Sequence, residues 1–193
     1  MMEKKKVVWD LCSGLGGWTE AFVQDGWIVI RIEINPELEY VPFTRIWDVK
    51  DWIDWIDDLP HPDLIVASPP CTEFSCADWR KDRNTFEPDM SIVKACLDIL
   101  DYIKPTWWVL ENVKGAVRYF IPLIGHHRQA VGNKQCPQFY LWGNFPLISM
   151  KPGWKHFKTD ARDPQIRSLI PFELSFELLR TLEQQRRLDS WLR

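Results

Sequence analysis

The fold of this chain is decided by the stretch from Val7 to Phe22, VVWDLCSGLGGWTEAF. A short apolar run ends in an acid at Asp10, and glycines follow at Gly14, Gly16 and Gly17. The residues after the glycines have helical spacing and end at another glycine. This order predicts a strand, a tight turn and a helix. Backbone N–H groups of the turn could approach a ligand closely.

Three further apolar runs predict strands: WIVIRIE (27–33), DLIVA (63–67) and WWVLEN (107–112). A helix is predicted over 90–104, where apolar residues recur at helical intervals before a proline. Strands that are apolar throughout and alternate with helices indicate an α/β fold with a doubly wound, mostly parallel sheet. In such sheets ligands bind at the carboxyl ends of the strands.

The 193 residues are predicted to form a single domain (1–193). Its expected parts are a cofactor-binding and catalytic core (1–117), a divergent, loop-rich segment that could contact substrate (118–170) and a C-terminal helix (171–193). FYLWG (139–143) is predicted as a late strand within the second part.

Composition excludes several classes of protein. No segment approaches the roughly 20 apolar residues of a membrane span, and the basic start lacks the apolar core of a secretory signal, so we expect a cytoplasmic protein. Five cysteines without a C-x-x-C pair predict neither disulfides nor a zinc or other metal site. Residues 1–117 carry 12 basic and 21 acidic side chains, and residues 118–193 carry 12 and 6. A basic second part is compatible with a phosphate-facing surface or with solvated helix faces.

The stretch SPPCTEFS (68–75) directly follows the apolar run DLIVA. Pro69 and Pro70 remove two backbone donors and restrict φ, so the chain leaves the strand as a stiff, extended segment. Cys71 is thereby held at the ligand-binding edge of the sheet. Most cysteines are small core residues, but a core position seldom needs two prolines to orient it.

The next predicted strand ends in Glu111, which the order of the strands places beside Cys71. A thiol paired with a carboxyl suits conjugate addition to an electron-poor ring better than acyl transfer, which requires a histidine base. The thiolate would add to C6 of a pyrimidine while protonated Glu111 donates at N3, and C5 would then accept a methyl group. This role needs a raised Glu111 pKa, which a desolvated pocket supplies.

Glu33 ends the second strand, where its two oxygens could accept both hydroxyls of a ribose. Together with the glycine turn it predicts an adenosine-containing cofactor. Asp48 could bind the adenine amino group or cap a helix.

In these motifs the chain resembles the S-adenosylmethionine-dependent DNA (cytosine-5) methyltransferases, which have a Rossmann-like fold. The resemblance rests on DLCSGLGGWTEAF, the acid of IEINP, WDV, SPPCTEFS and ENVKG, in family order from residue 7 to about 117. It implies S-adenosyl-L-methionine as cofactor and DNA as partner. The implied catalytic residues are Cys71 as nucleophile, Glu111 at N3, and Pro70 and Asn112 as support. The implied cofactor-binding residues are Asp10, Ser13, Gly14, Leu15, Gly16, Gly17, Glu33, Ile34, Asp48, Val49 and Pro69.

The chain departs from the family pattern in the region that would contact substrate. Cys12 stands where the family has an aromatic residue, and Gln138 is followed by Tyr140 and Trp142 instead of the family's arginines. Arg118 or Arg128 could replace the arginine that contacts cytosine. Ser75 and Arg80, on the loop that closes over the target base in the family, complete the substrate-binding candidates.

Only Asn144–Gln165 stands where the family has a large target-recognition domain. We therefore expect a compact enzyme with short or relaxed specificity. Its salt-sensitive activity should favour single-stranded or loosened DNA, or depend on a second protein chain. Two alternatives remain open: methylation of cytosine in RNA or in a free nucleotide, and a catalytically silent DNA-binding or regulatory subunit with the same fold.

Overall fold

The computed structural model describes residues 5–74, 87–133, 136–151, 154, 166 and 168–191. Seven strands lie at Val7–Leu11 (β1), Ile28–Glu33 (β2), Thr44–Ile46 (β3), Leu64–Ala67 (β4), Trp107–Asn112 (β5), Gln129–Asn133 (β6) and Cys136–Asn144 (β7). The α-helices span Glu20–Gln24 (α1), Ser91–Ile103 (α2), Val117–Ile124 (α3) and Phe172–Trp191 (α4). Short 3-10 helices include Gly17–Thr19, Val49–Asp54 and Cys71–Glu73.

The strands form one sheet in the order β3-β2-β1-β4-β5-β7-β6. Neighbouring strands from β3 to β5 are parallel, whereas β7 is antiparallel to both β5 and β6. The direction of chain progression reverses between β1 and β4, which is the topological switch point where sheets of this kind open a crevice for ligands. The prediction of an α/β fold with a mostly parallel sheet is confirmed.

Two apolar cores lie on opposite faces of the sheet. Helices α2 and α3 cover one face through residues such as Ile99 and Phe120. Helices α1 and α4 cover the other through Phe22, Leu174 and Leu178. Because both faces are covered, the central strands are buried along their length, and β1 and β4 are therefore apolar apart from Asp10.

Most predicted elements occur in the structure. The four strands of the first part are present, α2 falls one residue short of the prediction at each end, and the late strand extends to Cys136–Asn144. Three elements were missed. Strand β3 has three residues, α3 contains Pro122, and β6 contains Gly132 at a bulge, so each carries a weak local signal. Among the described residues, no helix is long and apolar enough to cross a membrane.

Candidate active site

The register of the parallel strands brings the carboxyl ends of β2, β4 and β5 to one level. Leu11 pairs with Ile32 and with Ala67, and Ala67 pairs with Leu110. These four side chains lie in the core under α2 and α3. Since side chains alternate along a strand, the next residues of the three strands, Glu33, Ser68 and Glu111, face the opposite side of the sheet.

The proline turn that carries Cys71 is fixed by contacts with the end of β5. Asn112 is fully buried, and its Nδ2 donates to the Pro69 carbonyl at 2.9 Å while its Oδ1 accepts from Val113 N at 2.9 Å. Behind the turn, a Cβ atom on Gly115 would lie 1.9 Å from the Phe74 carbonyl oxygen. The ENVKG segment is therefore the support against which the Cys71 turn packs, and its glycine permits the close approach.

The electrostatics of this edge favour a neutral carboxyl beside the thiol. Burial raises the pKa of Glu111 to about 8, although a hydrogen bond from the Ser68 hydroxyl favours the ionised form. Burial of the half-exposed Cys71 thiol raises its pKa, and the negative charge of Glu111 raises it further. At neutral pH Glu111 is mostly protonated, so it can donate a hydrogen bond and does not oppose ionisation of Cys71.

The glycine turn and Glu33 form the second part of the site. One oxygen of the Glu33 carboxylate accepts from Gly14 N at 2.8 Å, and the other accepts from the backbone N–H groups of Ile34 and Asn35, both at 3.0 Å. Gly14 and Gly16 have φ values of 51° and 76°. A Cβ atom added to Gly14 would meet no atom within 4 Å, so the turn has open space beside it.

A buried polar network lies beneath this turn. Asp10 Oδ2 accepts from the Thr19 hydroxyl at 3.0 Å, and Arg31, which is 1% exposed, donates from Nε to Thr19 Oγ1 at 2.9 Å and from Nη2 to the Gly16 carbonyl at 3.1 Å. Burial raises the pKa of Asp10 to about 7, while Arg31 and then Thr19 favour its ionised form. A Cβ atom on Gly16 would lie 2.4 Å from the guanidinium, so the network fixes the turn from below.

The remaining cofactor candidates lie around this turn in different environments. Asp48 is an N-cap, with Oδ1 accepting from Lys50 N at 2.9 Å and Oδ2 lying 3.4 Å from Lys50 Nζ. Val49 is buried behind it, and Ile34 is 60% exposed directly after Glu33. The other candidates are mostly buried: Leu15 is half-buried, and the buried ones are Ser13, Gly16, Gly17 and Pro69.

The structure separates the substrate candidates. The Arg118 guanidinium stacks on the Tyr119 ring, which lies 5.8 Å from the Phe74 ring of the Cys71 turn. Arg128 instead donates from Nε to the Phe145 carbonyl at 2.6 Å. Phe145 follows Asn144, which pairs with Trp108 near the amino end of β5, so this guanidinium is directed away from the Cys71 edge.

Gln138 stands on β7 beyond Tyr140, which pairs with Asn112, and therefore projects past the carboxyl edge of β5. Its Oε1 is buried and has no hydrogen-bond partner in the part of the chain that the structure describes. Ser75 and Arg80 lie outside the described residues.

Sequence reasoning missed three polar residues that hold this site together. Arg31 had a signal, because an arginine inside the apolar run WIVIRIE implies a buried and partnered charge. Thr19 and Ser68 had none, because their partners lie on other strands and turns that only the folded sheet brings to them.

The size of the cavities among the described residues does not by itself locate the site. One of about 180 Å³ lies beside the proline turn, against the start of α2, and is lined by Pro69, Pro70, Thr72, Glu73, Phe74, Asp89, Ile92 and Val93. A larger groove of about 250 Å³ lies on α4, with Met150, Trp154, Phe172 and Phe176 in its walls. We assign the site from the thiol and the carboxyls, because the larger groove contains no residue of either motif.

Comparisons with known proteins point to one family. The family model of C-5 cytosine-specific DNA methylases matches residues 7–119. The chain is similar to the type II methyltransferase M.HindV of Haemophilus influenzae, with 30% identity over 115 residues that cover 54% of this chain and 36% of that protein. It is also similar to the type II methyltransferase M.HgiGI of Herpetosiphon aurantiacus, with 26% identity over 117 residues that cover 55% of this chain and 90% of that protein.

Among solved structures, the S. pombe Dnmt2 methyltransferase aligns with a TM-score of 0.47 and 20% identity, over 79% of this chain and 52% of that one. The family match spans more than half of the 193 residues and contains the glycine turn, the proline turn and the ENV segment. The chain belongs to the C-5 cytosine-specific DNA methylase family.

Proposed function

We propose that this protein transfers a methyl group from S-adenosyl-L-methionine to C5 of cytosine in DNA, through a covalent bond between Cys71 and C6. The observation that carries the proposal is the meeting of Cys71 with Glu111 at neighbouring strand ends, where Glu111 is neutral at physiological pH. An inert structural cysteine would need neither the prolines nor a neutral carboxyl beside it.

The chemistry assigns one role to each group. The Cys71 thiolate forms a bond to C6 while Glu111 donates its proton to N3, so the electron pair of the C5–C6 double bond becomes available at C5. After C5 is methylated, loss of the C5 proton to solvent and cleavage of the S–C6 bond restore the C5–C6 double bond and the thiolate, and N3 returns its proton to Glu111. Asn112, by holding the Pro69 carbonyl, keeps the turn in place, and Pro70 limits its freedom.

The residues around the glycine turn fit an adenosine-containing cofactor. The turn has open space at Gly14, and Ser13 Oγ is buried without a hydrogen-bond partner among the described residues. We propose that the backbone from Asp10 to Gly17 and the Glu33 carboxylate hold the cofactor, with Ile34, Asp48, Val49 and Pro69 beside it. When bound, S-adenosylmethionine supplies an electrophilic methyl group.

Glu33→Gln tests the cofactor site. Glutamine has a single acceptor oxygen, so its NH2 group would face one of the backbone donors that the carboxylate now accepts, and the hydrogen bonds to the ribose would weaken. We expect the affinity for S-adenosylmethionine to fall by about 10- to 100-fold. Isothermal titration calorimetry without nucleic acid measures this.

The matched control for the cofactor site is Glu39→Gln, which removes an exposed acid from the same segment and should leave the affinity unchanged. Equal affinities for S-adenosylmethionine in the wild type and Glu33→Gln would show that Glu33 does not bind the cofactor. A loss of affinity in both variants would indicate a general effect of charge instead.

For the substrate we propose contacts from Arg118, near the Cys71 turn, and from Gln138, whose Oε1 lacks a partner among the described residues. Ser75 and Arg80 stay sequence-based proposals, and Arg128 would need a different rotamer to take part. The target cytosine must leave the base stack before Cys71 reaches C6, which costs a few kcal/mol in a duplex and less in a single strand. We therefore propose short or relaxed specificity and a preference for single-stranded DNA, or help from a second protein chain on duplex DNA.

Deuterated S-adenosylmethionine tests the reaction and the polymer together. The purified protein is incubated with duplex DNA, single-stranded DNA, RNA or a cytidine nucleotide, and the nucleosides are analysed by mass spectrometry. We expect labelled 5-methyldeoxycytidine, most abundant with single-stranded DNA and less abundant at high salt. Label found only in RNA or only in the nucleotide would show that DNA is not the substrate. Label at an exocyclic nitrogen, or no labelled product, would refute the proposed reaction.

A further inference from the structure

The side chain of Ser68 lies between the glycine turn and the candidate catalytic carboxyl. The Trp18 indole Nε1–H donates to Ser68 Oγ at 2.8 Å, and the pairing of Ala67 with Leu110 brings Ser68 beside Glu111, whose ionised form its hydroxyl favours. An indole N–H can only donate, so Ser68 Oγ is the acceptor in the first bond. The Ser68 hydroxyl therefore keeps its own proton available for donation to Glu111.

Ser68 and its donor Trp18 are both held by buried groups. Trp18 is 1% exposed and lies in the 3-10 helix directly after the glycine turn. The fully buried Ser175 of α4 donates from Oγ to the Trp18 carbonyl at 2.6 Å and accepts from Ala21 N at 3.3 Å. Ser68 N donates to the Leu11 carbonyl at 3.1 Å. The hydroxyl thus sits at a fixed point between the turn and Glu111.

The surroundings of Glu111 make this hydroxyl important. Glu111 pairs with the apolar Leu141 on β7. On its other side, the turn after β4 brings Ser68 and Cys71 to the Glu111 carboxyl. Among the described residues, the titratable group whose pKa responds to the Glu111 charge is Cys71. Strand register explains the meeting, since Ser68 and Glu111 each follow one member of the Ala67–Leu110 pair.

We propose that Ser68 is a positioning residue, which receives the Trp18 N–H and donates to Glu111, and so ties the orientation of the catalytic carboxyl to the cofactor-binding turn. The proposal rests on the roles given above to Glu111 and Cys71. It adds a connection that runs from Ser175 on α4 through Trp18 to Ser68, and from Ser68 to the neighbouring Glu111 carboxyl.

The test follows alkylation of Cys71 by iodoacetamide between pH 7 and 10, by peptide mass spectrometry, without cofactor or nucleic acid. In Ser68→Ala the Glu111 carboxyl loses the hydroxyl that favours its ionised form, so its pKa rises and it stays protonated to higher pH. Cys71 then ionises more easily, and its alkylation at pH 8.5 should rise by about threefold or more. Trp18→Phe, which removes the N–H and keeps a ring, should act in the same direction with a smaller effect.

A double-mutant comparison separates this role from a general loss of packing. In a Glu111→Gln background no charge forms at residue 111, so Ser68→Ala should leave Cys71 alkylation unchanged. An equal increase in both backgrounds, or no increase in either single variant, would overturn the proposal. If Ser68→Ala does not fold, the same comparison is made with Trp18→Phe.

Because the assay needs no methyl transfer, it distinguishes this proposal from the proposed function. An inactive protein that shows the expected alkylation pattern would refute the function and retain the connection through Ser68. In an active protein, Ser68→Ala should also move the high-pH loss of methyl transfer to higher pH.

Discussion

Cys71→Ala is expected to abolish methyl transfer and to abolish covalent capture of nucleic acid that contains 5-fluorocytosine. Alanine keeps the backbone of the turn but has no nucleophile, so the bond to C6 cannot form. Loss of a nucleophile that starts the chemistry reduces turnover by a factor of at least about 10⁴. The readouts are labelled methyl incorporation and a protein–DNA band that survives denaturing electrophoresis, both with S-adenosylmethionine present.

Cys96→Ala is the matched control for Cys71→Ala. Cys96 is fully buried in α2 among apolar side chains and contacts Cys12, so its replacement removes a thiol without changing the Cys71 turn or Glu111. This variant should keep both the adduct and the activity. An adduct that persists in Cys71→Ala would show that another residue is the nucleophile. Failure of the wild type to give an adduct on any polymer would support the catalytically silent subunit instead.

Glu111→Gln is expected to lower methyl transfer by about 10²- to 10⁴-fold, the contribution of a well-placed general acid. Glutamine can still donate a hydrogen bond to N3, but it cannot transfer a proton, so the addition at C6 loses its driving force. Cofactor affinity should stay within the error of calorimetry, because the glycine turn and Glu33, which carry the main proposed cofactor contacts, follow β1 and end β2. A variant with full activity would exclude Glu111 as the acid.

The dependence of methyl transfer on pH tests whether Glu111 acts in its protonated form. Burial raises the pKa of this carboxyl to about 8, so below that pH it is protonated and able to donate, and above it the acid form is lost. Wild-type activity should rise as Cys71 ionises and fall as Glu111 ionises, with apparent pKa values that belong to the pair. In Glu111→Gln the high-pH fall should disappear, and kcat measured across pH 6–10 checks this.

Much of the site could be predicted from local sequence. The glycine turn, the two prolines before Cys71 and the acids at the ends of apolar runs are each recognisable within about ten residues. The periodicity of 90–104 similarly predicted α2 to within one residue at each end. Such features are visible because backbone conformation and strand burial are set by neighbouring residues.

Other parts of the site depend on contacts that sequence order does not reveal. Arg128 and Gln138 are ten residues apart, and the sequence makes both of them candidates for a contact with cytosine. The β6–β7 hairpin directs Arg128 to the Phe145 carbonyl and places Gln138 past the end of β5. That difference arises from antiparallel pairing, which reverses the chain relative to the parallel strands.

The sequence by itself determined the fold class and the family, because the residues that encode them lie in short motifs at strand ends. Only the tertiary structure decided which polar groups meet at those ends. Ser68 reaches Glu111 because β4 and β5 align Ala67 with Leu110, and Arg31 reaches Thr19 because β2 runs parallel beside β1. A shift of one residue would turn each of these side chains to the other face of the sheet, and the buried cores on both faces fix the register.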